Sequence, residues 1–261
     1  MHGILCATPE ELAAVRTRLA LPDRAERHGP TQVWLGEFGG QPVALAQCGI
    51  GKVNAAAAAT LLLAVLKART LIFSGVAGGL NPDLEVGTVL LADRLAIHDY
   101  GMVAASRFTR TAYGVIPIGA PDLAEAVAVE PEVRETFAAL DADVEGRLAH
   151  PVRLGSVVTG DYFLNCRATR EELHAALGAD AVDMESGAVA EVARAWGVPA
   201  YVIRTLSDLA GEDSHIAYPQ MVEMAAENSA ICVAALLSRF AASSTLPPRL
   251  PDSPSQPTLR P

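Results

Sequence analysis

The chain has 261 residues, about half of them apolar, which is enough for the core of one large domain. With 20 basic and 30 acidic residues, its formal charge is −10. This balance argues against a nucleic-acid partner and against binding to an anionic membrane, because both need a dense basic face. The four cysteines form no C-x-x-C pair, which predicts free thiols and a cytoplasmic protein.

The two ends of the chain and its apolar runs set the expected domain limits. The N-terminus has the pattern of a strand and lacks that of a signal peptide. The apolar runs 57–66 and 229–237 are too short to span a bilayer. The last residues are rich in Pro and Ser, which is typical of disorder. We therefore expect one domain over 1–241 and a disordered tail over 242–261.

Strands alternate with helices along the domain. The predicted strands are 3–7, 31–38, 41–47, 70–75, 87–96, 152–158, 181–183 and 199–205. The predicted helices are 9–20, 53–67, 120–140, 169–177, 184–196 and 218–240. Gly39-Gly40 would turn a hairpin, and 97–119 is predicted to be a loop. The alternation predicts an α/β fold, a mostly parallel or mixed twisted sheet with helices on both faces.

Glu11 belongs to a segment, Thr8-Pro9-Glu10-Glu11, that has two interpretations. Thr8 as N-cap, Pro9 as first helical residue and Glu11 as third spell a capping box. Alternatively, a carboxylate that follows a strand faces the ligand crevice of an α/β sheet. This segment alone favours the capping interpretation.

Two glycine-rich corners follow apolar strands, one at 49–52 and one at 75–79. Each could bring backbone close to a ligand or simply form a tight turn. The first is not a phosphate-binding P-loop, because Val53 stands where Ser or Thr is needed. The second lacks the G-x-G-x-x-G spacing of a dinucleotide site.

Two further strand ends carry carboxylates. Asp183 and Glu185 flank Met184 where a strand meets a helix, and they could either complement the helix dipole or bind sugar hydroxyls. Asp208 ends an apolar strand after Ser207, and it could be a cap or a half-buried proton donor with a raised pKa. The six histidines show no metal-ligand spacing, and no G-x-S-x-G elbow is present. We expect neither a metal nor a cofactor.

Taken in order, these motifs resemble the nucleoside phosphorylase/nucleosidase superfamily, and most closely its 5′-methylthioadenosine/S-adenosylhomocysteine nucleosidases. The resemblance covers residues 3 to about 240. The matching segments are the early Glu11, G-I-G-K-V-N-A, S-G-V-A-G-G-L, G-D-Y-F at 160–163, D-M-E-S-G-A-V-A and R-T-L-S-D. It implies a hydrolase that cleaves the N-glycosidic bond of a purine nucleoside, commonly as a homodimer in which the loop 99–118 closes the partner's site.

The resemblance also implies a role for each matching residue. Glu11 would deprotonate the attacking water, and Asp208, oriented by Ser207, would protonate the purine at N7. Glu185 would bind the ribose hydroxyls above Met184. The remaining pocket residues implied are Phe163 and Leu164 at the base, Ile50 and Tyr218 at the 5′-substituent, and Val76, Ala77 and Gly78 in the glycine corner. Glycosidic cleavage needs such an acid and base, because its transition state is oxocarbenium-like.

Water is favoured over phosphate as the nucleophile. Phosphorylases of this superfamily hold phosphate with an arginine before the glycine corner and a serine inside it, where this chain has Phe73 and Val76. A phosphate dianion would lack charge-assisted donors there. Two alternatives stay open: a phosphorylase with an unusual anion site, and a non-catalytic nucleoside-binding protein.

Some positions depart from the nucleosidase pattern. Many nucleosidases have Ser at Val76, Glu at Asp183 and Met-Glu at Thr8-Pro9, and the segment 99–118 matches poorly. The 5′-group therefore stays open between methylthioadenosine, adenosylhomocysteine, 5′-deoxyadenosine and an aminofutalosine-type nucleoside.

Overall fold

The computed structural model describes residues 1–144 and 146–243. Within these ranges the helices are α1 (Pro9–Arg18), α2 (Lys52–Ala64), α3 (Pro131–Val144), α4 (Arg167–Leu177), α5 (Ser186–Ala195) and α6 (Ser214–Ala242). The strands are β1 (His2–Cys6), β2 (Glu26–His28), β3 (Thr31–Phe38), β4 (Gln41–Gln47), β5 (Thr70–Gly79), β6 (Val89–Ile97), β7 (Gly101–Ala104), β8 (Arg107–Arg110), β9 (Val127–Ala128), β10 (Val152–Thr159), β11 (Ala181–Asp183) and β12 (Ala200–Asp208).

One mixed sheet forms the centre of the molecule. Its strands follow the order β11-β10-β6-β12-β5-β1-β4-β3-β2, and β9 pairs with β6. Strand β11 pairs in parallel with β10 and antiparallel with β5, so this part of the sheet closes on itself. The α/β fold predicted from the sequence is confirmed, and the closure brings the ends of β5, β11 and β12 together.

Helices cover both faces of the sheet, because each face is apolar. Helices α2 and α5 pack on one face through small side chains, among them Ala55, Ala59 and Ala188. Helices α1, α3 and α6 pack on the other face, with Leu12 and Phe137 in that second core. The alanine-rich start of α2 lets this helix approach the sheet closely.

The segment between β6 and α3 differs from its prediction. Residues 97–119 were expected to be a loop, but β7 and β8 form a hairpin within it. The helix expected at 120–140 begins only at Pro131, since β9 pairs with β6 just before it. Proline suits the first turn of a helix and disfavours helical backbone at the preceding residue, which explains the late start.

Two strands run further than their apolar runs predict. Strand β5 continues through the glycine corner to Gly79, and β12 continues to Asp208, because the two pair in parallel almost to their ends. Gly78 and Gly79 also pair with β11. The corner at 75–79 is therefore paired strand, and the tight-turn interpretation was wrong.

Helix α6 is longer than the apolar run inside it. It has 29 residues and contains a window apolar and long enough to cross a membrane, but 61% of that window is buried against the rest of the described protein. The core helix of a globular domain has the same properties. The tail predicted at 242–261 lies outside the described residues from 244 onward.

Candidate active site

One cavity of about 340 Å³ lies where six strands end, and it contains every site residue expected from the sequence. These residues are Glu11, Ile50, Val76, Ala77, Gly78, Phe163, Leu164, Met184, Glu185, Ser207, Asp208 and Tyr218. The cavity is also lined by Asp183, one of the two carboxylates considered for the sugar hydroxyls, and by five residues that were not predicted to line it: Ala7, Thr8, Tyr162, Val182 and His215. Ligands of α/β sheets bind at the carboxyl ends of strands, so this is the candidate active site.

Glu11 is fixed on one side of the cavity by backbone donors. Its Oε2 accepts hydrogen bonds from the N–H groups of Ala7 (2.7 Å) and Thr8 (3.1 Å), and its Oε1 accepts one from Val76 (2.9 Å). The capping box with Thr8 is present, so the capping and cavity-facing interpretations of Glu11 are both correct. Burial raises the pKa of Glu11, while the Arg204 charge and the three donors oppose that rise.

Strand β5 passes close to Glu11 and Arg204 at Gly75. A Cβ there would lie 2.2 Å from Oε1 of Glu11 and 2.3 Å from Nη1 of Arg204. Any side chain would displace both groups, so the close approach of strand and carboxylate depends on glycine.

Arg204 is the central cation of this side of the site. It is fully buried on β12, and its Nη2 lies 2.8 Å from Oδ2 of Asp183 and 3.4 Å from Oε2 of Glu185. Its Nη1 lies 3.8 Å from Oε1 of Glu11. Its guanidinium stacks over Phe73 with 3.8 Å between Cζ and the ring centroid. One arginine thus faces three carboxylates.

Glu185 stands at the start of α5 and bridges to the first glycine corner. Its Oε1 accepts a hydrogen bond from the Gly51 N–H at 2.9 Å, and its side chain makes no cap bond to α5. Burial and the negative charge of Asp183 raise the pKa of Glu185 to about 7, against the effect of Arg204. Asp183 instead satisfies the helix start, because it accepts the Ser186 N–H at 3.1 Å.

Asp208 occupies the other side of the cavity without a cationic partner among the described residues. Its Oδ1 accepts the Ala210 N–H at 2.8 Å, and its Oδ2 accepts the Ser207 hydroxyl at 3.0 Å. Burial raises the pKa of Asp208, although these hydrogen bonds oppose the rise. Helix α6 has Asp213 as its N-cap, so Asp208 does not cap that helix.

Aromatic side chains form the open edge of the cavity. Phe163 is half exposed and makes an edge contact with Tyr218, with ring centroids 6.1 Å apart. Ile50 lines the same edge and is also largely exposed. Flat apolar surfaces at the mouth of a pocket suit a planar base or an apolar substituent.

Arg204 was not predicted as a site residue, although its position in an apolar strand indicates buried partners. An arginine within the apolar run Val202–Leu206 cannot be buried without partners. Its position predicts nearby carboxylates, but only the fold identifies them as Glu11, Asp183 and Glu185.

Comparison with known proteins identifies the family. Residues 1–238 match the family described as the Phosphorylase superfamily. The chain belongs to this superfamily. The resemblance inferred from the sequence motifs is therefore confirmed.

Relatives within the superfamily are nucleosidases. The 5′-methylthioadenosine/S-adenosylhomocysteine nucleosidase of Mycobacterium tuberculosis is 38% identical over 247 residues, which cover 90% of this chain and 96% of that protein. The same enzyme from Streptococcus pneumoniae, solved with a transition-state inhibitor, has a TM-score of 0.76 at 28% identity and covers 91% of this chain and 98% of its own. Futalosine hydrolase of Helicobacter pylori has a TM-score of 0.79 at 26% identity, covering 91% and 97%.

Proposed function

We propose that this protein hydrolyses the N-glycosidic bond of a 5′-modified adenosine and releases adenine and the free sugar. The observation that carries the proposal is that Glu11, in the first turn of α1, and Asp208, at the end of β12, are both buried and line one cavity. Names of relatives at up to 38% identity point to methylthioadenosine and adenosylhomocysteine as substrates.

On the sugar side, Glu11 accepts a proton from water as the water oxygen bonds to the anomeric carbon. Glu185 accepts hydrogen bonds from the 2′- and 3′-hydroxyls, and its negative charge supports the positive charge that develops on the ring. Met184 lies beneath the sugar. Arg204 faces both glutamates and favours their ionised forms, against the burial that raises their pKa values.

On the base side, Asp208 donates its proton to N7 of the purine while the carbon–nitrogen bond breaks. The electron pair of that bond stays with the base, which leaves as neutral adenine. A raised pKa suits an acid that must be protonated before each turnover. Ser207 orients Asp208, Phe163 stacks on the base, the Leu164 backbone contacts its edge, and the corner residues Val76, Ala77 and Gly78 complete this wall.

Water is the nucleophile in this proposal, and the charges of the cavity support it. Among its described lining residues are four carboxylates and neither Lys nor Arg. Phe73 lies beneath Arg204, and Val76 presents an apolar side chain. A phosphate dianion would meet repulsion here and no charge-assisted donor. These observations disfavour a phosphorylase.

Adenine release from methylthioadenosine in phosphate-free buffer tests the proposal. We expect turnover that phosphate changes by less than about twofold, because no step uses it. A requirement for phosphate, with a sugar 1-phosphate as product, would overturn it. Absence of turnover alongside tight nucleoside binding would instead favour a binding protein.

A second candidate is hydrolysis of an aminofutalosine-type nucleoside. The structural similarity to futalosine hydrolase, with a TM-score of 0.79, supports this substrate as strongly as the similarity to the nucleosidase, with a TM-score of 0.76, supports methylthioadenosine. A panel of methylthioadenosine, adenosylhomocysteine, 5′-deoxyadenosine and an aminofutalosine-type nucleoside separates the candidates by kcat/KM. The 5′-group contacts Ile50 and Tyr218 in either case.

We also propose that the protein works in the cytoplasm as a homodimer, with the segment 99–118 near the partner's site. Apolar side chains of this segment are exposed, among them Val103 (73%), Ile116 (63%) and Ile118 (81%), and such patches favour an interface. All four cysteines are free, which suits a reducing compartment. Light scattering after size-exclusion chromatography tests the dimer, and a monomer at micromolar concentration would contradict it.

A further inference from the structure

Three charged side chains outside the cavity lining connect separate segments of the chain. They are Lys52 at the start of α2, Asp99 after β6 and Asp161 after β10. The Lys52 Nζ lies 2.5 Å from Oδ1 of Asp99 and 3.7 Å from Oδ2 of Asp161. None of the three has a role in the proposed reaction.

Backbone groups join the same cluster. Oδ1 of Asp161 accepts the Lys52 N–H at 2.9 Å, and Oδ2 of Asp99 accepts the Asp161 N–H at 2.9 Å. A Cβ on Gly51 would lie 3.3 Å from Oδ1 of Asp161, so the two segments are closely packed. The cluster therefore holds the backbone at Lys52 and the backbone at Asp161 in place, whereas an ordinary surface ion pair joins side chains only.

The cluster is partly shielded from water. The side chains of Lys52 and Asp99 are each 21% exposed. Although burial raises the pKa of Asp99, the hydrogen bonds from Lys52 and from the Asp161 N–H outweigh it and lower the pKa overall. Asp99 is thus held ionised opposite Lys52, and the pair is stronger than a fully exposed one.

Each connected segment continues directly into a wall of the cavity. Next to Lys52, the Gly51 N–H donates to Oε1 of Glu185 on the sugar side. Next to Asp161, Tyr162, Phe163 and Leu164 line the base side. The two walls are far apart in sequence, and the cluster joins them on the outside of the pocket.

We infer that Lys52, Asp99 and Asp161 form a clamp that sets the sugar-side wall at Gly51 against the base-side wall at Phe163. The three are positioning residues: they act through Glu185 and Phe163 and touch no substrate. This inference rests on the proposed nucleoside hydrolysis. The clamp supplies the fixed spacing between walls that a base and a ribose in one molecule require.

Lys52→Met tests the clamp, with Lys67→Met as a matched control. Lys67 is an exposed lysine whose Nζ contacts only the Ala64 carbonyl among the described partners. The clamp sets the spacing between groups that already hold the base and the ribose in the bound substrate, and Glu185 keeps Arg204 without it. Loss of the clamp should therefore raise KM roughly 10–100-fold and change kcat less than about threefold. Lys67→Met should leave both constants unchanged.

Conservative variants separate positioning from general destabilisation. Lys52→Arg keeps the charge and should recover most of the lost kcat/KM. Asp99→Asn keeps an acceptor for the Asp161 N–H and should raise KM less than Lys52→Met. The double variant Lys52→Met/Asp99→Asn should have a KM no higher than that of Lys52→Met alone, because both substitutions disrupt the same ion pair. Asp99→Asn also provides the test if Lys52→Met does not fold.

Calorimetric binding keeps this inference distinct from the proposed function. Adenine contacts only the base-side wall, whereas methylthioadenosine spans both walls. Lys52→Met should therefore raise the Kd of the nucleoside by a larger factor than the Kd of adenine. This comparison holds even if the wild-type protein releases no adenine, a result that would overturn the hydrolase proposal alone. A KM within twofold of wild type in folded Lys52→Met, or equal weakening of both ligands, would overturn the clamp.

Discussion

The two sides of the cavity hold their carboxylates in different ways. On the sugar side, Glu11 and Glu185 share Arg204 with Asp183 in a buried ionic network, and both also accept backbone N–H groups. On the base side, Asp208 has hydroxyl and backbone N–H donors but no cationic partner among the described residues. An arginine stabilises ionised carboxylates, whereas burial without a cation favours the protonated form. The difference supports the proposed division, with the base on one side and the acid on the other.

The largest effect is expected from Asp208→Asn. Asparagine keeps the shape but cannot donate a proton to N7, so kcat for methylthioadenosine should fall by about 10⁴-fold. Steady-state adenine release measures this loss. Asp213→Asn, an exposed carboxylate at the start of α6, is the control and should change kcat less than twofold. A comparable loss of kcat in Asp208→Asn and Asp213→Asn would show that Asp208 is not the acid.

Glu11→Gln should have the next largest effect. The amide cannot accept the proton of the attacking water, and kcat should fall by about 10³-fold. KM should change little, because Glu185 still binds the sugar. If Glu11→Gln retained more than a tenth of wild-type kcat, Glu11 would not be the base.

Arg204→Met tests whether the two sides of the cavity contribute differently to the free energy of unfolding. It leaves three buried carboxylates without their cation and should lower the free energy of unfolding by about 3 kcal/mol in a urea titration. Arg107→Met is the control, because the Arg107 side chain is 78% exposed. Asp208→Asn should not lower stability in the same titration, since burial already disfavours its ionised form. Equal losses for Arg204→Met and Asp208→Asn would contradict the comparison.

The smallest effect concerns the pH dependence of stability. The pKa of Glu185 is raised to about 7 by burial and by Asp183. Between pH 4.5 and 7 this carboxyl therefore ionises in the unfolded chain while it stays protonated in the folded wild-type protein, so stability falls as pH rises. Glu185→Gln does not titrate. The stability of this variant relative to wild type should therefore increase over that interval by at most about 3 kcal/mol, at about 1.4 kcal/mol per unit of pKa, and stay constant above it. Unfolding titrations at pH 4.5, 6 and 8 measure the difference, with exposed Glu37→Gln as control.

Sequence motifs predicted the α/β fold and a set of residues that the structure brings to one cavity. Glu11 and Asp208 could be found because each lies at or shortly after the end of an apolar strand, where ligands bind. The closure of the sheet through β11 and β5 could not be predicted, because it depends on pairing between distant segments.

The remaining features depend on contacts distant in sequence. Arg204 is paired with three carboxylates on two other segments, and Lys52 is paired with Asp99 and Asp161. The hairpin of β7 and β8 was missed because its residues lack the alternation of a half-buried strand; they are largely exposed. Local patterns indicate which side chains must be buried or exposed, but not which distant partner each one meets.

The most direct test of the division between acid and base uses a leaving group that needs no proton. A 4-nitrophenyl 5-methylthioribofuranoside releases 4-nitrophenolate, a stable anion that takes the electron pair of the broken bond and needs no proton. Asp208→Asn should therefore hydrolyse this substrate within about threefold of wild type while losing about 10⁴-fold on methylthioadenosine. Glu11→Gln should be impaired on both substrates. Equal losses of Asp208→Asn on the two substrates would contradict the assignment of Asp208 as the acid.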